Sequence, residues 1–290
     1  MPDSTTDDPW GTRDLDLTAY LDRIGQPERE PSREALAALH RAHRRTFPFE
    51  NIDVLLDQHP GVSVAAVQAK LLGLPRGGYC FEQSVLLAAA LERLGYAVRR
   101  HLSRTRHPRT SPRTHLVSVI ELDGQRLLCD VGMGWTLLEP MPLVDGAEVT
   151  QDGWRFRLTR REEFGTVTWE LARINCDQWE PMHWIEDSLI HPIDVEVAHH
   201  YTSTHPLTYF RSSLVVGGLG RGPSEGSVLG LSLDGVTERR PGVPTRHTDL
   251  PTDAHEIGRQ LARLGIRPTY EELDRLTAKI AEIRAATQAE

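Results

Sequence analysis

Apolar residues recur at intervals of three and four along the first 95 residues, which is the spacing of one face of a helix. The positions that carry this pattern are Leu17, Tyr20, Leu21, Ile24, Leu36, Leu39, His43, Val64, Val67 and Leu71. Residues 74–79 contain a proline and two glycines, so they predict a loop. A helix is then expected from about Cys80 to Leu94, with Gly95 as its left-handed cap. The pattern therefore predicts a helical N-terminal region in which Cys80 begins a helix.

Alternating apolar and polar residues replace this spacing after about residue 96. Residues 115–122 and 125–131 flank Asp123-Gly124, which predicts a β-hairpin. Further strands are expected at 154–159, 166–173, 210–216, 227–233 and 236–240. Helices are predicted at 253–264 and about 270–287, and Thr269 with Glu272 forms a capping box at the second. The apolar stripe of that last helix packs either on the body of the protein or on another subunit.

The predicted hairpin also predicts which side chains share a face. A two-residue turn at Asp123-Gly124 places Val117 opposite Asp130 and His115 opposite Gly132. His115 and Asp130 are then diagonal neighbours about 7 Å apart at the backbone, within reach of an imidazole–carboxylate hydrogen bond. Cys129 points to the opposite face, where packing is its expected role.

Composition narrows the class of protein. The 290 residues contain 39% hydrophobic and 26% charged residues, as expected of a globular chain with two compact lobes. The net charge of −8 disfavours nucleic-acid binding, which needs a basic face. The lysines are Lys70 and Lys279, and neither lies in a glycine-rich loop of the GxxxxGK type. The arginine-rich stretch 99–113 is interpreted as a solvated loop rather than a phosphate site.

The cysteine spacing, the acidic first segment and the lack of a long apolar run predict a cytoplasmic protein. Cys80, Cys129 and Cys176 lack CxxC spacing, which favours a reducing compartment over a disulfide framework. The sequence starts with an acidic segment and contains no run of 18 apolar residues. Histidines cluster at 199–205 and 101–115 without an HExxH motif, so no metal site is predicted. Gly218–Gly222 leads into a strand through Pro223, which argues against a dinucleotide-binding loop.

Cys80, His115 and Asp130 together supply the parts of a thiol triad. Free N–H groups at a helix start favour a thiolate, and the preceding Gly77 and Gly78 are expected to let a substrate approach and to offer N–H groups to an oxyanion. The imidazole would serve as the base and the carboxylate would orient it. Taken singly, Cys80 is better explained as a buried packing residue and His115 as a structural histidine. The agreement of the helix start, the histidine and the carboxylate favours the triad.

Five segments of the chain closely resemble the arylamine N-acetyltransferase family in order and spacing, over roughly residues 14–266. They are residues 76–83 (RGGYCFEQ), 48–53 (PFENID), 113–115 (RTH), 130–134 (DVGMG) and 203–206 (STHP). The resemblance implies an α+β fold with a cysteine-protease-like core. Its expected regions are an N-terminal helical bundle at 1–95 carrying the nucleophile, a central antiparallel β-barrel at 96–198 carrying His and Asp, and a C-terminal α/β lid at 199–290.

The same resemblance implies a ping-pong acetyl transfer from acetyl-CoA, a co-substrate, with no permanently bound cofactor. The acceptor would be the nitrogen of an arylamine, a hydrazine or an arylhydroxylamine, and Cys80, His115 and Asp130 would be the catalytic residues. It further implies CoA contacts at Tyr209 and Phe210, although an aromatic pair that opens a strand is more often part of the core. The N–H groups of Gly132, Met133 and Gly134 are free either to meet CoA phosphates or because these residues simply end the strand. Acceptor contacts are expected at Phe49, Tyr79 and Thr114.

Other features of the sequence leave alternatives open. Glu50 and Arg76 form either a buried ion pair or a surface salt bridge. Trp135 and Met133 depart from residues frequent in the family and are expected near the acceptor pocket.

Rival functions also remain open. Macrolactam-forming amide synthases, which use a carrier-bound acyl chain, resemble this chain too, and a catalytically silent binding protein would keep the same fold. A thiol hydrolase would use the same triad, and a homodimer is one of the open oligomeric states.

Overall fold

The computed structural model describes residues 8–163, 165–175 and 177–289. Short 3-10 turns lie at Thr12–Asp14 and Gly222–Ser224. The helices of this part of the chain are α1 (Leu17–Ile24), α2 (Arg33–Thr46), α3 (Ile52–Leu55), α4 (Val64–Gly73), α5 (Cys80–Arg93), α6 (Pro192–Thr204), α7 (Tyr209–Ser212), α8 (Ala254–Ala262) and α9 (Tyr270–Ala289). Cys176, one of the three cysteines in the sequence, lies outside the described residues.

The strands of the described residues form two antiparallel sheets. They are β1 (Phe49–Glu50), β2 (Ala97–Thr105), β3 (Arg113–Leu122), β4 (Gln125–Cys129), β5 (Met141–Pro142), β6 (Glu148–Gln151), β7 (Trp154–Glu163), β8 (Thr166–Asn175), β9 (Gln178–Glu186), β10 (Val216–Leu219), β11 (Val228–Leu231), β12 (Val236–Arg240) and β13 (Val243–Thr248). The larger sheet has the order β5-β4-β3-β2-β9-β8-β7-β6, and the smaller has the order β1-β10-β11-β12-β13. Residues 143–147 join the two edge strands of the larger sheet, which curls into a nearly closed barrel.

Helix α5 lies in the centre of the N-terminal helical region. The Glu82 carboxylate accepts a hydrogen bond from the Tyr79 N–H at 3.0 Å and so closes the first turn. Residues from Cys80 to Leu91 are buried, so the helix has core on every side. Gly95 follows it in the left-handed region, with φ 89°, as the sequence predicts.

The C-terminal helix packs on the body of the protein. Its apolar residues Leu276, Ile280 and Ile283 belong to one buried cluster with Ile257 and Leu261 of α8. Of the two alternatives for this stripe, packing within the chain is therefore the one observed. Within the residues that the structure describes, no helix is both long enough and apolar enough to cross a membrane.

Two expectations about local structure are wrong. The sequence predicts a strand at 210–216, but residues 209–212 form α7 and the strand begins at Val216. The stretch 99–113 is not simply a solvated loop, because its first part belongs to strand β2, which runs to Thr105. One of the arginines of this strand, Arg100, is buried and hydrogen bonded to Glu92. In both segments, polar or aromatic residues contact distant parts of the chain. Local propensity cannot predict such contacts, so it predicts the wrong secondary structure here.

The predicted division of the chain into three regions stays a prediction. The boundary after residue 198 falls inside α6, and the short strand β1 of the N-terminal region pairs with β10 in the smaller sheet. Strands β2, β9 and β13 and helices α3 and α6 have no counterpart in the predicted elements.

Candidate active site

Cys80 begins α5 and lies beside a cavity of about 360 Å³. Its residue surface is 2% exposed, and its thiol lies 3.4 Å from the Thr114 carbonyl oxygen. The cavity is lined by residues from the helical region, the barrel and the smaller sheet. The thiol therefore faces an enclosed space that a small substrate can enter.

The hairpin has the register that the sequence predicts. Ser118 lies opposite Cys129, and two residues separate the strands at Asp123-Gly124. The His115 Nε2 atom and the Asp130 Oδ1 atom are 3.1 Å apart, so the two side chains share a face as predicted. Cys129 is buried in the apolar core on the other face. This result confirms the inference drawn from the turn and the strand alternation.

Asp130 is fully buried and both of its carboxylate oxygens are hydrogen bonded. Oδ1 lies near His115 Nε2 and accepts from the Gly132 N–H at 3.0 Å. Oδ2 accepts from the Thr136 hydroxyl at 2.8 Å and lies 3.0 Å from His183 Nε2. Burial works to raise the pKa of Asp130, but the charge and hydrogen bond of His115, then the hydrogen bond of His183, hold it well below its usual range.

His115 is held in its protonated form by this carboxylate. Burial works to lower the pKa of His115, but the Asp130 charge and hydrogen bond, then the interaction with the Cys80 thiol, raise it to about 10. Because Nε2 faces Asp130, Nδ1 is the ring nitrogen left for the thiol. At neutral pH the imidazole of His115 is therefore positively charged, and it lies beside the Cys80 sulfur.

Gly132 lets the Cys80 side chain and the His115 imidazole come together. A Cβ atom at this position would lie 3.0 Å from the Cys80 Cα, from the Cys80 Cβ and from the His115 Cε1. Such contacts are shorter than ordinary carbon–carbon separations of about 3.5–4.0 Å. A side chain at residue 132 would therefore push Cys80 and His115 apart.

Two buried residues of this site were missed by sequence reasoning. His183 comes from β9, and no local motif links it to Asp130 fifty-three residues earlier. Arg44 comes from α2, and its guanidinium donates to the carbonyl oxygens of Val131 and Gly134 at 3.3 and 3.1 Å. Burial lowers the pKa of Arg44 to about 10. Arg44 thus holds the loop that follows Asp130.

His115, Asp130 and His183 also offer donor atoms of the kind that bind metals, all within 4.8 Å of one another. Both imidazole Nε2 atoms lie within hydrogen-bond distance of the same carboxylate, so a hydrogen-bond network accounts for the cluster. The histidine group around residues 199–205 lies elsewhere, with His199 beside Tyr79 and His59.

Most residues that the sequence singled out for ligand contacts line the cavity. These are Phe49, Thr114, Gly132, Met133, Gly134, Tyr209 and Phe210. Trp135 lines it too, as expected for a residue near the acceptor pocket. Tyr79 is not among the lining residues, because its side chain is buried and its hydroxyl is hydrogen bonded to His199. Asp130 lies behind His115 and does not reach the cavity surface.

Gly77 and Gly78 have a different role from the expected one. A Cβ at Gly77 would lie 2.0 Å from the Pro48 carbonyl oxygen, and one at Gly78 would lie 2.7 Å from a Glu82 carboxylate oxygen. The Gly78 N–H donates to the Pro48 carbonyl at 3.2 Å and so is not available to an oxyanion. Neither glycine lines the cavity. Close packing of the loop, rather than access for substrate, requires glycine here.

The ion pair between Glu50 and Arg76 is buried, as one of the two alternatives predicted. The Arg76 Nε donates to Glu50 at 3.0 Å, and its two terminal nitrogens bind Asp53 at 2.7 Å and Glu272 of α9 at 2.9 Å. Lys70 bridges Asp53 and Glu82 at 2.7 and 2.9 Å, and Glu82 closes the first turn of α5. The network therefore connects the C-terminal helix to the helix that carries Cys80.

Comparison with known proteins places this architecture in a family. A family model described as N-acetyltransferase matches residues 32–226. The arylamine N-acetyltransferase / N-hydroxyarylamine O-acetyltransferase of Salmonella typhimurium is 34% identical over 206 residues, covering 69% of this chain and 72% of that protein. The arylamine N-acetyltransferase of Mycolicibacterium smegmatis is 36% identical over 216 residues, covering 70% and 76%.

Solved structures agree with the sequence relatives. The arylamine N-acetyltransferase from Mycobacterium abscessus superposes with a TM-score of 0.87 at 31% identity, covering 97% of this chain and 99% of that chain. The Mycobacterium marinum enzyme in complex with CoA superposes with a TM-score of 0.82 at 28% identity, covering 92% and 99%. The α+β fold with a cysteine-protease-like core is the one expected. The chain therefore belongs to the arylamine N-acetyltransferase family, a family of acyltransferases.

Proposed function

We propose that this enzyme moves an acetyl group from acetyl-CoA to the nitrogen of an arylamine through an acetyl thioester on Cys80. Hydrazines and arylhydroxylamines present a similar nitrogen nucleophile and belong to the same acceptor class. The observation that carries the proposal is the contact that Gly132 permits between Cys80 and His115, with Asp130 hydrogen bonded to the imidazole. Family membership supports the acetyl donor and the acceptor class.

In the first half-reaction the Cys80 thiolate attacks the carbonyl carbon of acetyl-CoA. A carbon–sulfur bond forms to Cys80, and the bond to the CoA sulfur breaks as the tetrahedral intermediate collapses. The CoA thiolate takes the proton that His115 carries, so CoA leaves as the thiol. One thioester replaces another, so the step costs little free energy.

In the second half-reaction the arylamine nitrogen attacks the acetyl carbon on Cys80. The neutral imidazole of His115 accepts a proton from the nitrogen, and the sulfur leaves as a thiolate. The product is the amide, and the thiolate–imidazolium pair is restored. Asp130 stabilises the imidazolium at the end of this step and at the start of the next cycle.

The cavity residues take their roles from these steps. Phe49 and Thr114 line the cavity and are proposed as contacts for the acceptor. Gly132, Met133, Gly134, Tyr209 and Phe210 line the same cavity and are proposed as contacts for CoA. The structurally similar Mycobacterium marinum enzyme binds CoA in its solved complex, which supports CoA as the co-substrate.

The direct test is acetylation of the protein by acetyl-CoA without an acceptor. Intact-protein and peptide mass spectrometry should find one acetyl group, located on Cys80, with free CoA released in equal amount. Cys80→Ala should abolish the reaction. Cys129→Ala is the matched control, because Cys129 is buried in the core away from the cavity and its loss should leave acetylation intact.

The alternatives give different results in the same assay. An amide synthase would leave Cys80 unmodified by acetyl-CoA and would accept an acyl chain from a carrier. A silent binding protein would show neither reaction. A thiol hydrolase would acetylate Cys80 and then release acetate at the same rate with or without an arylamine, because water would reach the thioester.

A further inference from the structure

Helix α6 has apolar residues on two opposite faces. Its inner face is buried next to β3 and consists of Val195, Ala198 and Thr202. Ile193, Val197 and Tyr201 follow one another at intervals of four, so they share the outer face, where they are 60%, 63% and 37% exposed. A surface helix normally presents charged and polar residues on its outer side. Apolar residues on both sides are instead typical of a helix that is covered on both sides.

The exposed apolar surface continues beyond both ends of α6. Leu189 lies four residues before Ile193, and Leu207 and Tyr209 follow the helix. Ten large apolar residues of the described part of the chain are exposed, and six of them lie between residues 189 and 209. We call these six the α6 surface: Leu189, Ile193, Val197, Tyr201, Leu207 and Tyr209. Single exposed apolar residues are normal, whereas a cluster of them marks an interaction site.

The area of the α6 surface is sufficient for a weak but specific dimer. A fully exposed large apolar residue presents about 150 Å², so these six residues at their observed exposures present about 550 Å². Two copies packed through this surface would bury about 1,100 Å², which exceeds the roughly 1,000 Å² expected of a specific interface. For an interface of this size we expect a dissociation constant in the micromolar range.

The outer face of α6 is complementary to itself. When two copies of α6 pack antiparallel about a two-fold axis at Val197, this valine meets its own copy and Ile193 meets Tyr201 of the second copy. Each apolar residue of one helix then has an apolar counterpart, and the two helix dipoles run in opposite directions. A two-fold dimer uses the same patch on both copies, so this surface needs no second kind of partner.

The charges beside the outer face favour the same antiparallel arrangement. Asp194 and Glu196 lie in the first half of α6, and both are exposed. His200 is exposed in the second half of the helix. Arg106 stacks on Tyr209, which follows the helix, with its guanidinium carbon 4.9 Å from the ring centre. Antiparallel pairing therefore brings the acidic end of each surface to the basic end of the other.

The acidic residues also argue against a membrane as the occupant. Helices that lie on a membrane surface carry lysine and arginine on their polar face, because many lipid headgroups are anionic. Helix α6 contains neither lysine nor arginine, and Asp194 and Glu196 flank its apolar face. The net charge of −8 adds to the repulsion between the protein and an anionic lipid surface.

We propose that this protein forms a two-fold symmetric dimer in which the α6 surfaces of two copies pack on each other. Val197 lies on the symmetry axis at the centre of the interface. The acidic first half of each helix lies beside the basic end of the other surface. The dimer is a property of the outer surface, so it goes beyond the proposed function and does not depend on the reaction at Cys80.

Analytical ultracentrifugation of the full chain measures the association. The fraction of dimer should rise between about 0.1 and 200 µM, a range that brackets a micromolar dissociation constant. Val197→Glu should raise the dissociation constant about 100-fold or more, because it removes two apolar side chains from the centre of the interface and brings two like charges together. A protein that stays monomeric across this range would overturn the proposal.

Val144→Glu is the matched control. Val144 lies between β5 and β6, outside the α6 surface, and is 57% exposed, close to the 63% of Val197. Its replacement should leave the dissociation constant unchanged, and circular dichroism checks that both variants fold. Equal weakening by the two variants would indicate general apolar association. No weakening by Val197→Glu would place the interface elsewhere, and either result would overturn the proposal.

A cysteine on the symmetry axis tests the register of the two helices. Helices packed about 10 Å apart bring facing Cα atoms to about 5 Å, within the range of about 4.4–6.8 Å that a disulfide spans. Val197→Cys should therefore give a disulfide-linked dimer on mild oxidation, seen on a non-reducing gel, whereas Val144→Cys and the unmodified protein should not. Equal cross-linking of the two variants would overturn the arrangement. So would a Val197→Cys protein that stays unlinked at a concentration where the unmodified protein is dimeric.

Discussion

Replacing Gly132 with alanine inserts one methyl group between Cys80 and His115. The new Cβ would lie 3.0 Å from the Cys80 Cα and Cβ and 3.0 Å from the His115 Cε1. On one side is the first turn of α5, which is buried core. On the other side is an imidazole that Asp130 holds through one hydrogen bond. The imidazole is the easier of the two to displace.

The size of the effect follows from these distances. Carbon atoms in contact settle about 3.5–4.0 Å apart, so the neighbours must give way by a few tenths of an ångström. A displacement of about 1 Å in a reacting pair can cost about a hundredfold in rate. We therefore expect Gly132→Ala to slow Cys80 acetylation about 10- to 100-fold. The overpacking should also cost about 1–3 kcal/mol of unfolding free energy.

Single-turnover acetylation by acetyl-CoA, followed by mass spectrometry, measures the rate. Alkylation of Cys80 by iodoacetamide, followed at several pH values, reports on the thiolate that His115 stabilises, and thermal unfolding reports on stability. Gly73→Ala is the control, because no atom lies within 4 Å of a Cβ at the end of α4. That variant should keep the rate and gain up to about 1 kcal/mol from better helix propensity.

A Gly132→Ala enzyme that folds and acetylates at the rate of the unmodified enzyme would refute the reasoning. The contact between Cys80 and His115 would then tolerate an added methyl group, and the close approach would not be needed for catalysis. A rate loss that disappears at low temperature, in step with recovery of folded protein, would also count against it.

His183→Phe should slow Cys80 acetylation about tenfold and lower the melting temperature, because Asp130 loses a hydrogen bond to one carboxylate oxygen. His183→Gln can donate again and should recover much of both losses, and equal losses in the two variants would contradict a role in positioning Asp130. Acid should destabilise the fold, because burial lowers the pKa of His40 to about 4 and that of His43 to about 3. The unfolded chain binds these protons near pH 6.5. The contribution of His40 and His43 to stability is therefore complete above that pH and falls as pH drops toward 4, by about 1.4 kcal/mol per pH unit for each histidine. Urea unfolding between pH 7 and 5 measures the slope, which His43→Gln should reduce; an unreduced slope would contradict the assignment to His43.

Local pattern was enough to predict the hairpin that brings His115 and Asp130 together. The turn at Asp123-Gly124 determines the register of β3 and β4, and strand alternation then puts His115 and Asp130 on one face. Likewise, the loop ending at Tyr79 and the helical spacing after it predict the position of Cys80 at a helix start. Both inferences depend on geometry within about 20 residues, where chain connectivity limits the alternatives.

The elements that local pattern mispredicts depend on contacts between distant segments. Residues 209–212 form α7 at the side of the cavity, where Phe210 packs on Phe49 and Tyr79, although their aromatic residues favour a strand. Strand β2 is an interior strand of the barrel between β3 and β9, although it is rich in arginine. In each case burial against another part of the chain outweighs local preference.

The sequence alone determined that Cys80 begins a helix and that His115 and Asp130 share one face of a hairpin, because each of these features depends on a turn, a helix start or a strand period. Only the tertiary structure decided which groups surround them. His183 and Arg44 reach Asp130 and its loop from β9 and α2. These contacts join residues far apart in the chain, and their positions follow from packing of the whole fold, which no local spacing encodes.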